Sequence, residues 1–249
     1  MDDIEVLVRI AWLLGAASFV IGLMRMNSPA TARNGNLLSA GGMALAIGGT
    51  AVLLAFNGAV APTGWLIIAV GIAVGGGLGL YTAKTVKMTA MPQLVSLLNA
   101  VGGGAAALIA IDDYLRLSGE VASISLQISI PTVLDILIGS ITFTGSLIAS
   151  GKLMGVISGK PIMLPAGRLI TIGIVLVAAA GSLYLWTGTI SVPVMFLILA
   201  AALVFGVTMV LPIGGADMPV VISLLNSFTG TAVAMAGFVI GNDVLIIAG

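Results

Sequence analysis

The sequence of 249 residues contains no cysteine and no histidine. Without cysteine the chain can form no disulfide and offers no thiolate as a nucleophile. Without histidine it lacks the side chain that titrates near neutral pH and that binds metals most often. We find no cluster of metal-ligating residues and no nucleophile–base pair, so the sequence predicts no metal site and no catalytic group in this chain.

Charged residues are scarce as well, at 7% of the chain with a formal net charge of zero. Soluble domains contain about 25% charged residues. Here 59% of the residues are hydrophobic and the mean hydropathy is +1.25, which together predict a protein that crosses the lipid bilayer several times. The balanced charge indicates no nucleic-acid partner, and the acidic start of the chain is unlike a basic signal peptide, so no cleaved targeting segment is expected.

Eight apolar segments are long enough to cross a bilayer, which takes about 20 residues. A ninth apolar segment begins near Val244, and we expect it to continue beyond Gly249, so that Gly249 itself lies inside a span. The longest polar connections, 112–130 and 152–166, are too short for a soluble domain of usual size. We therefore predict an all-α, polytopic transmembrane helical bundle forming one membrane domain, with spans at roughly 5–25, 36–56, 63–83, 91–111, 131–151, 167–187, 191–212, 218–240 and 243 to the end.

Small residues recur at helical spacing in two of these segments. In membrane helices such residues let backbones approach closely, so we predict tight helix packing at Gly71, Gly75 and Gly79, and at Gly145, Ser146, Ala149 and Ser150. The glycine-rich run at 75–79 lies inside an apolar segment with no preceding strand, so it does not fit a dinucleotide-binding loop.

The basic residues predict the orientation of the chain, because Lys and Arg accumulate on the cytoplasmic side of membrane proteins. Seven of the nine lie after the first, third and fifth spans: Arg25, Arg33, Lys84, Lys87, Lys152, Lys160 and Arg168. We predict that these turns are cytoplasmic, that the N-terminus lies outside, and that the ninth span runs toward the cytoplasm.

One nine-residue motif occurs twice, 127 residues apart and with six identical positions, as MPQLVSLLN at 91–99 and MPVVISLLN at 218–226. Each copy places a Ser and an Asn three residues apart on one helix face, Ser96 with Asn99 and Ser223 with Asn226. The predicted orientation makes the two copies parallel and sets both Asn residues near the middle of the bilayer. Two interpretations remain open: hydrogen bonding between packed helices, or a polar path for a transported species.

A proton path needs a titrating group, and Asn does not exchange protons. The candidates near the predicted spans are Asp112, Asp113, Glu120 and Asp243, and two more lie in or next to the spans, Asp135 and Asp217. Each of the last two also has a simpler interpretation: Asp135, about one turn into its span, would complement the helix dipole, and Asp217 would cap the next helix. We expect most of the other acidic residues to be solvated.

Four segments resemble the beta subunit of proton-translocating nicotinamide nucleotide transhydrogenase: KMTAMP at 87–92, TFTGS at 142–146, KPIMLP at 160–165 and GGADMP at 214–219. They occur in the order of that family and span nearly the whole chain, and the resemblance concerns the membrane domain only. Family members couple hydride transfer between NADH and NADP+ to proton flow across the membrane. The resemblance implies that this chain conducts protons and holds no cofactor, while attached soluble domains bind NAD(H) and NADP(H), the latter beyond residue 249.

The resemblance also implies roles for individual residues. Asn226 matches an Asn implicated in proton translocation, and Asp217 matches an acid at the cytoplasmic mouth, where Lys84 and Lys87 also lie. Asn99 falls where many relatives carry a histidine. An alpha-type partner subunit would add further spans and, by our hypothesis, the missing imidazole near the two Asn residues, and two such protomers would form a dimer in a bacterial inner membrane.

Two other functions fit the same sequence features. A secondary transporter would place a substrate site near the midplane between the parallel repeats. A structural membrane scaffold would use the Asn residues for packing alone.

Overall fold

The computed structural model describes residues 3–249, and every regular element in that range is helical. Eight of the helices are long and apolar enough to cross a membrane, which confirms the predicted all-α polytopic fold. The helices are α1 (Asp3–Met26), α2 (Pro29–Phe56), α3 (Pro62–Thr85), α4 (Met91–Glu120), α5 (Leu126–Leu153), α6 (Gly167–Trp186), α7 (Val192–Val210), α8 (Met218–Ile240) and α9 (Asp243–Ala248). Since α9 covers six residues, the ninth span stays a prediction.

Proline marks the beginning of several of these helices. It occupies the first or second position of α2, α4, α7 and α8, where its missing N–H has no helical partner to lose. Three helices are longer than predicted, and one of them, α5, begins at Leu126 instead of near residue 131. Helix α2 begins at Pro29 instead of near residue 36, and α4 continues to Glu120 instead of ending near residue 111, because Asp113 and Tyr114 are buried against neighbouring helices.

The chain divides into two compact units, the first of which contains α1, α2, α3 and α9. Helices α1 and α2 pack against each other at two glycine pairs, Gly15 with Gly42 and Gly22 with Gly35. A Cβ atom placed on Gly35 would lie 2.7 Å from the carbonyl oxygen of Gly22, so the two backbones are in direct contact. Val244 of α9 completes this packing against Ala16 and Ala46.

Helix α3 differs from the packing expected of it. A side chain at Gly71, Gly75 or Gly79 would meet no described atom within 4 Å, and α3 has no buried residue in the described part of the chain. The tight packing predicted for these glycines is therefore not made within residues 3–249. Spacing alone identifies a face that can pack closely but does not identify the helix that packs against it.

The second unit, residues 86–241, is built around α5. This helix packs against α4, α7 and α8 and more lightly against α6. Its small residues Gly145, Ser146, Ala149 and Ser150 are all buried, which confirms the tight packing predicted for them.

Helices α4 and α8 run in the same direction. Along α4, Ser96 bonds to Ser146 while Gly103 lies against Gly139, so α4 and α5 are antiparallel. Along α8, Leu225 contacts Gly145 while Met218 packs with Ala149, so α8 and α5 are antiparallel as well. The two helices that carry the repeated motif are therefore parallel to each other, as predicted from the distribution of the basic residues.

Candidate functional site

The two copies of the motif share their backbone geometry as well as their sequence. A 3₁₀ turn precedes each of the two helices, Met88–Ala90 before α4 and Gly215–Asp217 before α8. The residue before each turn is extended, with φ/ψ of −74/148° at Lys87 and −70/154° at Gly214. The helix N-caps also match, at −100/3° for Ala90 and −92/0° for Asp217. The backbone repeat thus begins several residues before the Met-Pro pair that the two copies share. The sequences of the two copies differ in those preceding residues.

Asn99 is the centre of a polar cluster in the second unit, which we define as Ser96, Asn99, Ser146 and Thr229. The Asn99 Nδ2 group donates to Ser146 Oγ at 3.0 Å, and Thr229 Oγ1 donates to Asn99 Oδ1 at 2.8 Å. Ser96 Oγ donates to the backbone oxygen of Ser146 at 2.8 Å. Asn99 is 7% exposed, and both serines are fully buried. The cluster joins three helices of the second unit, α4, α5 and α8.

The second copy of the motif faces the other way. Helix α8 packs through Val221, Ile222 and Leu225, which leaves Ser223 and Asn226 exposed on the outside. Each Ser–Asn pair shares one helix face, as predicted, but the α4 face points into the unit and the α8 face points out of it. The polar outer face of α8, which we define as Ser223, Asn226, Ser227 and Thr231, is exposed at all four positions.

The residues predicted at the cytoplasmic mouth are exposed. Asp217 is the N-cap of α8 by position, but its side chain makes no capping hydrogen bond. Lys87 is also exposed and forms no ion pair with Asp217 among the described residues. Lys84 lies exposed in the last turn of α3, in the first unit.

Lys152 links α5 to the segment that leads to Asp217. Its Nζ atom donates to the carbonyl oxygens of Leu211 at 2.5 Å and Ile213 at 2.6 Å, and the residue is 4% exposed. Leu211 is the C-cap of α7, where the helix dipole favours a cation. In the sequence, Lys152 was used only to predict the orientation of the chain in the membrane. Its position in the last turn of a helix could also have indicated that it binds carbonyl groups at a helix end.

The loops on either side of this lysine contact are also bonded to each other. The Gly215 N–H donates to the Gly159 oxygen at 2.8 Å, and the Ile162 N–H donates to the Leu211 oxygen at 3.1 Å. The 3₁₀ turn before α8 is therefore held by backbone bonds as well as by Lys152.

The expectation for Asp135 is wrong. Asp135 lies in the third turn of α5, which begins at Leu126, so it is too far from the helix start to complement the dipole there. It is fully buried, and neither carboxylate oxygen has a hydrogen-bond partner in the described part of the chain. Most of the other acidic residues are exposed, as expected, but Asp113 is 8% exposed and accepts a hydrogen bond from Arg116 at 3.2 Å. Within residues 3–249 no three acidic residues are grouped to hold a metal ion.

Comparison with known proteins gives consistent matches. A sequence profile of the family described as "NAD(P) transhydrogenase beta subunit" matches residues 8–249. The NAD(P) transhydrogenase subunit beta of Rhodospirillum rubrum is 39% identical to this chain over 243 residues, which are 96% of the chain and 51% of the relative. A second sequence of that name, from a strain of the same species, matches equally well. The chain thus spans about half the length of the curated relatives it matches.

Proposed function

Because the chain belongs to the NAD(P) transhydrogenase beta-subunit family, we propose that it is the membrane domain of such an enzyme and conducts protons across the bilayer. Proton flow is coupled to hydride transfer between NADH and NADP+, which takes place in soluble domains. These domains bind NAD(H) and NADP(H), and the NADP(H) domain follows residue 249. This chain contributes no nucleotide site. The observation that carries the proposal is the polar cluster, which places a buried amide and three hydroxyl groups across three apolar helices.

The polar cluster serves to hold and orient water and does not itself exchange protons. Asn99 uses one amide N–H and one lone pair within the cluster, and an Asn side chain has a second N–H and further acceptor capacity. Hydroxyl groups both donate and accept, so Ser96, Ser146 and Thr229 can each make a further hydrogen bond to water beside those they make within the cluster.

The polar outer face of α8 is the surface for the partner subunit. Four polar side chains facing lipid along one helix are costly, because hydrocarbon offers no hydrogen-bond partners. An alpha-type subunit with its own spans supplies those partners and an imidazole that exchanges protons near Asn226. Two such protomers form the dimer, in a bacterial inner membrane with the N-terminus of this chain outside.

The loops before α4 and α8 transmit the state of the nucleotide. Residues 84–90 and 212–217 lead into the two helices that carry Asn, through 3₁₀ turns of matching geometry. The NADP(H) domain contacts Asp217 and the exposed lysines, and occupancy changes shift these loops between two arrangements. Coupling of this kind requires a two-state element biased from both sides.

The assignment is tested in the complete complex reconstituted into liposomes. Asn226→Ala and Asp217→Asn should each lower nucleotide-driven proton pumping by about tenfold, which is less than the roughly 100-fold loss expected for a proton-transferring group, because Asn226 orients water in the route and Asp217 contacts the NADP(H) domain. Ser18→Ala is the control for Asn226, because Ser18 lies outside the polar outer face of α8, in α1, and its hydroxyl donates to Leu14 of its own helix. Pumping and turnover that stay unchanged in both variants would refute these roles.

The proposed imidazole has its own test, the structure of the complex with the partner subunit. An ionisable partner side chain should lie within hydrogen-bond or single-water distance of Asn226. A partner surface that is wholly apolar there would contradict the hypothesis.

The secondary-transporter alternative has less support. Such transporters bind substrate at discontinuous helices near the midplane, whereas α4 and α8 are each continuous, over Met91–Glu120 and Met218–Ile240. The scaffold alternative predicts that replacing both Asn residues lowers stability and leaves pumping intact.

A further inference from the structure

Asp135 is the acidic residue that the polar cluster leaves unexplained. It lies inside α5, is fully buried, and neither of its carboxylate oxygens has a partner within residues 3–249. An ionised carboxylate in such surroundings is very costly, whereas a neutral carboxylic acid is much less so. Acidic residues at intramembrane positions are rare and mark ion or proton paths. No packing role visible in the structure requires a carboxyl group at this position.

A second carboxyl group lies near the same level on the facing helix. Gly139 of α5 packs against Ala107 of the antiparallel α4, so Asp135, one turn earlier on α5, lies near the level of Asp113. Asp113 accepts a hydrogen bond from Arg116 through Oδ1, and its buried Oδ2 has no partner in the described residues. The interface of α4 and α5 therefore holds two buried acids near one end.

A polar column on α5 leads from Asp135 to the polar cluster. The column consists of Asp135, Thr142, Ser146 and Ser150, which are at most 1% exposed and are separated by seven, four and four residues along the helix. This spacing keeps all four on one face, over a rise of about 22 Å. Thr142 Oγ1 is also buried without a partner in the described chain, while Ser146 bonds to Asn99 and Ser150 Oγ donates to the Gln93 oxygen at 3.1 Å.

We propose that Asp135 is the proton-carrying group of this chain, placed where the buried α5 column meets Asp113 at the outer end of the path. In each cycle the carboxylic acid O–H bond breaks and its proton passes to a water or hydroxyl of the column. The carboxylate then takes up a proton from the outer side, by way of Asp113, and no atom changes oxidation state. This inference rests on the proposed function, since it supplies the titrating group that Asn99 and Asn226 cannot provide.

The test uses the complete complex in liposomes, with Asp135→Asn, Asp135→Glu and a matched control. Asp112 is next to Asp113 but exposed, so Asp112→Asn removes an acid from the same helix end without touching the buried pair. We expect Asp135→Asn to lower proton pumping by roughly 100-fold, Asp135→Glu to restore a large part of it, and Asp112→Asn to leave it unchanged.

A spectroscopic readout separates proton carrying from a structural role. On nucleotide addition, the infrared difference spectrum of the complex should show a change in the carbonyl stretch of a protonated carboxyl group, and this change should be absent in Asp135→Asn and shifted in Asp135→Glu. A carboxyl group that stays protonated in a structural role would give no such change. If Asp135→Asn fails to accumulate, the shift and the altered pumping of Asp135→Glu decide the question.

Two results would overturn the proposal: normal pumping in Asp135→Asn, or a carboxyl band unaffected by Asp135→Glu. If Asn226→Ala and Asp217→Asn impair pumping while Asp135→Asn does not, only this inference fails. If none of the three variants changes pumping, this inference and the roles proposed for Asn226 and Asp217 all fail, whereas an unmutated complex that does not pump would refute the proposed function itself.

Discussion

At the scale of single residues, identical side chains in identical motifs have opposite surroundings. Asn99 uses both ends of its amide in bonds to other helices, whereas Asn226 is exposed. The sequence identified both residues, because a repeated Asn in an apolar segment is conspicuous. It did not reveal that Thr229 is the partner of Asn99, because the rotation of α8 about its axis is set by packing against α5 and not by the motif.

Replacing Asn99 should therefore reduce stability more than replacing a polar residue on the outside. Asn99→Ala removes two interhelical hydrogen bonds, so we expect it to lower the free energy of unfolding by about 1 kcal/mol, from about 0.6 kcal/mol for each bond. Denaturant titration in detergent gives the measurement. Ser227→Ala should change little, and equal losses in the two variants would contradict the packing described for Asn99.

At the scale of elements, proline and hydropathy predicted the helix boundaries better than they predicted which helices pack together. The predicted and observed limits of α8 coincide at 218 and 240 because Pro219 opens the helix and Gly241, with φ of 65°, ends it. The end of α4 was missed because Asp113 and Arg116 look like loop residues in the sequence. Tertiary contacts of Asp113 and Tyr114 keep that segment helical.

Adjacent glycines in α2 offer a sharp test of the contact with α1. A Cβ atom at Gly42 would lie 2.8 Å from Ser18 Cβ and 2.9 Å from the Gly15 oxygen, whereas one at Gly41 would meet nothing within 4 Å. We expect Gly42→Ala to destabilise the chain by about 1–3 kcal/mol, as overpacking does, and Gly41→Ala to have little effect. Thermal unfolding of the two variants checks this, and equal melting temperatures would contradict the close α1–α2 approach.

Lys152 should keep the segment before α8 rigid. In Lys152→Met the Ile213 oxygen loses the Lys152 donor and the Leu211 oxygen keeps only the Ile162 N–H, so we expect faster amide hydrogen exchange at residue 211 and at residues 213–217, above all at Gly215. Lys160→Met is the control, because Lys160 is exposed. Exchange that is no faster in Lys152→Met than in Lys160→Met would show that the backbone bonds of the loops hold the segment alone.

At the scale of the whole molecule, orientation in the membrane can be measured directly because the chain has no cysteine of its own. Glu120 ends α4 and Lys160 follows α5, so the two exposed residues lie at opposite ends of α5. A membrane-impermeant thiol reagent should label Glu120→Cys from outside and Lys160→Cys from the cytoplasmic side. The reverse pattern would invert the orientation predicted from Lys and Arg, and labelling of both from one side would contradict the arrangement of α4 and α5.

The Ser–Asn face of α4 points into the second unit and that of α8 points out of it. This difference matters for a chain that is not yet assembled with the partner subunit. In the inward copy, the Asn99 side chain is hydrogen-bonded to Ser146 and Thr229 of the same chain. In the outward copy, the Asn226 side chain is exposed. Under the proposed function, such a chain holds only half of the route, so it would leave the ion gradient of the cell intact during biosynthesis. The unassembled chain would then not leak protons across the membrane, because Asn226 lies on the side of α8 that faces away from the polar cluster.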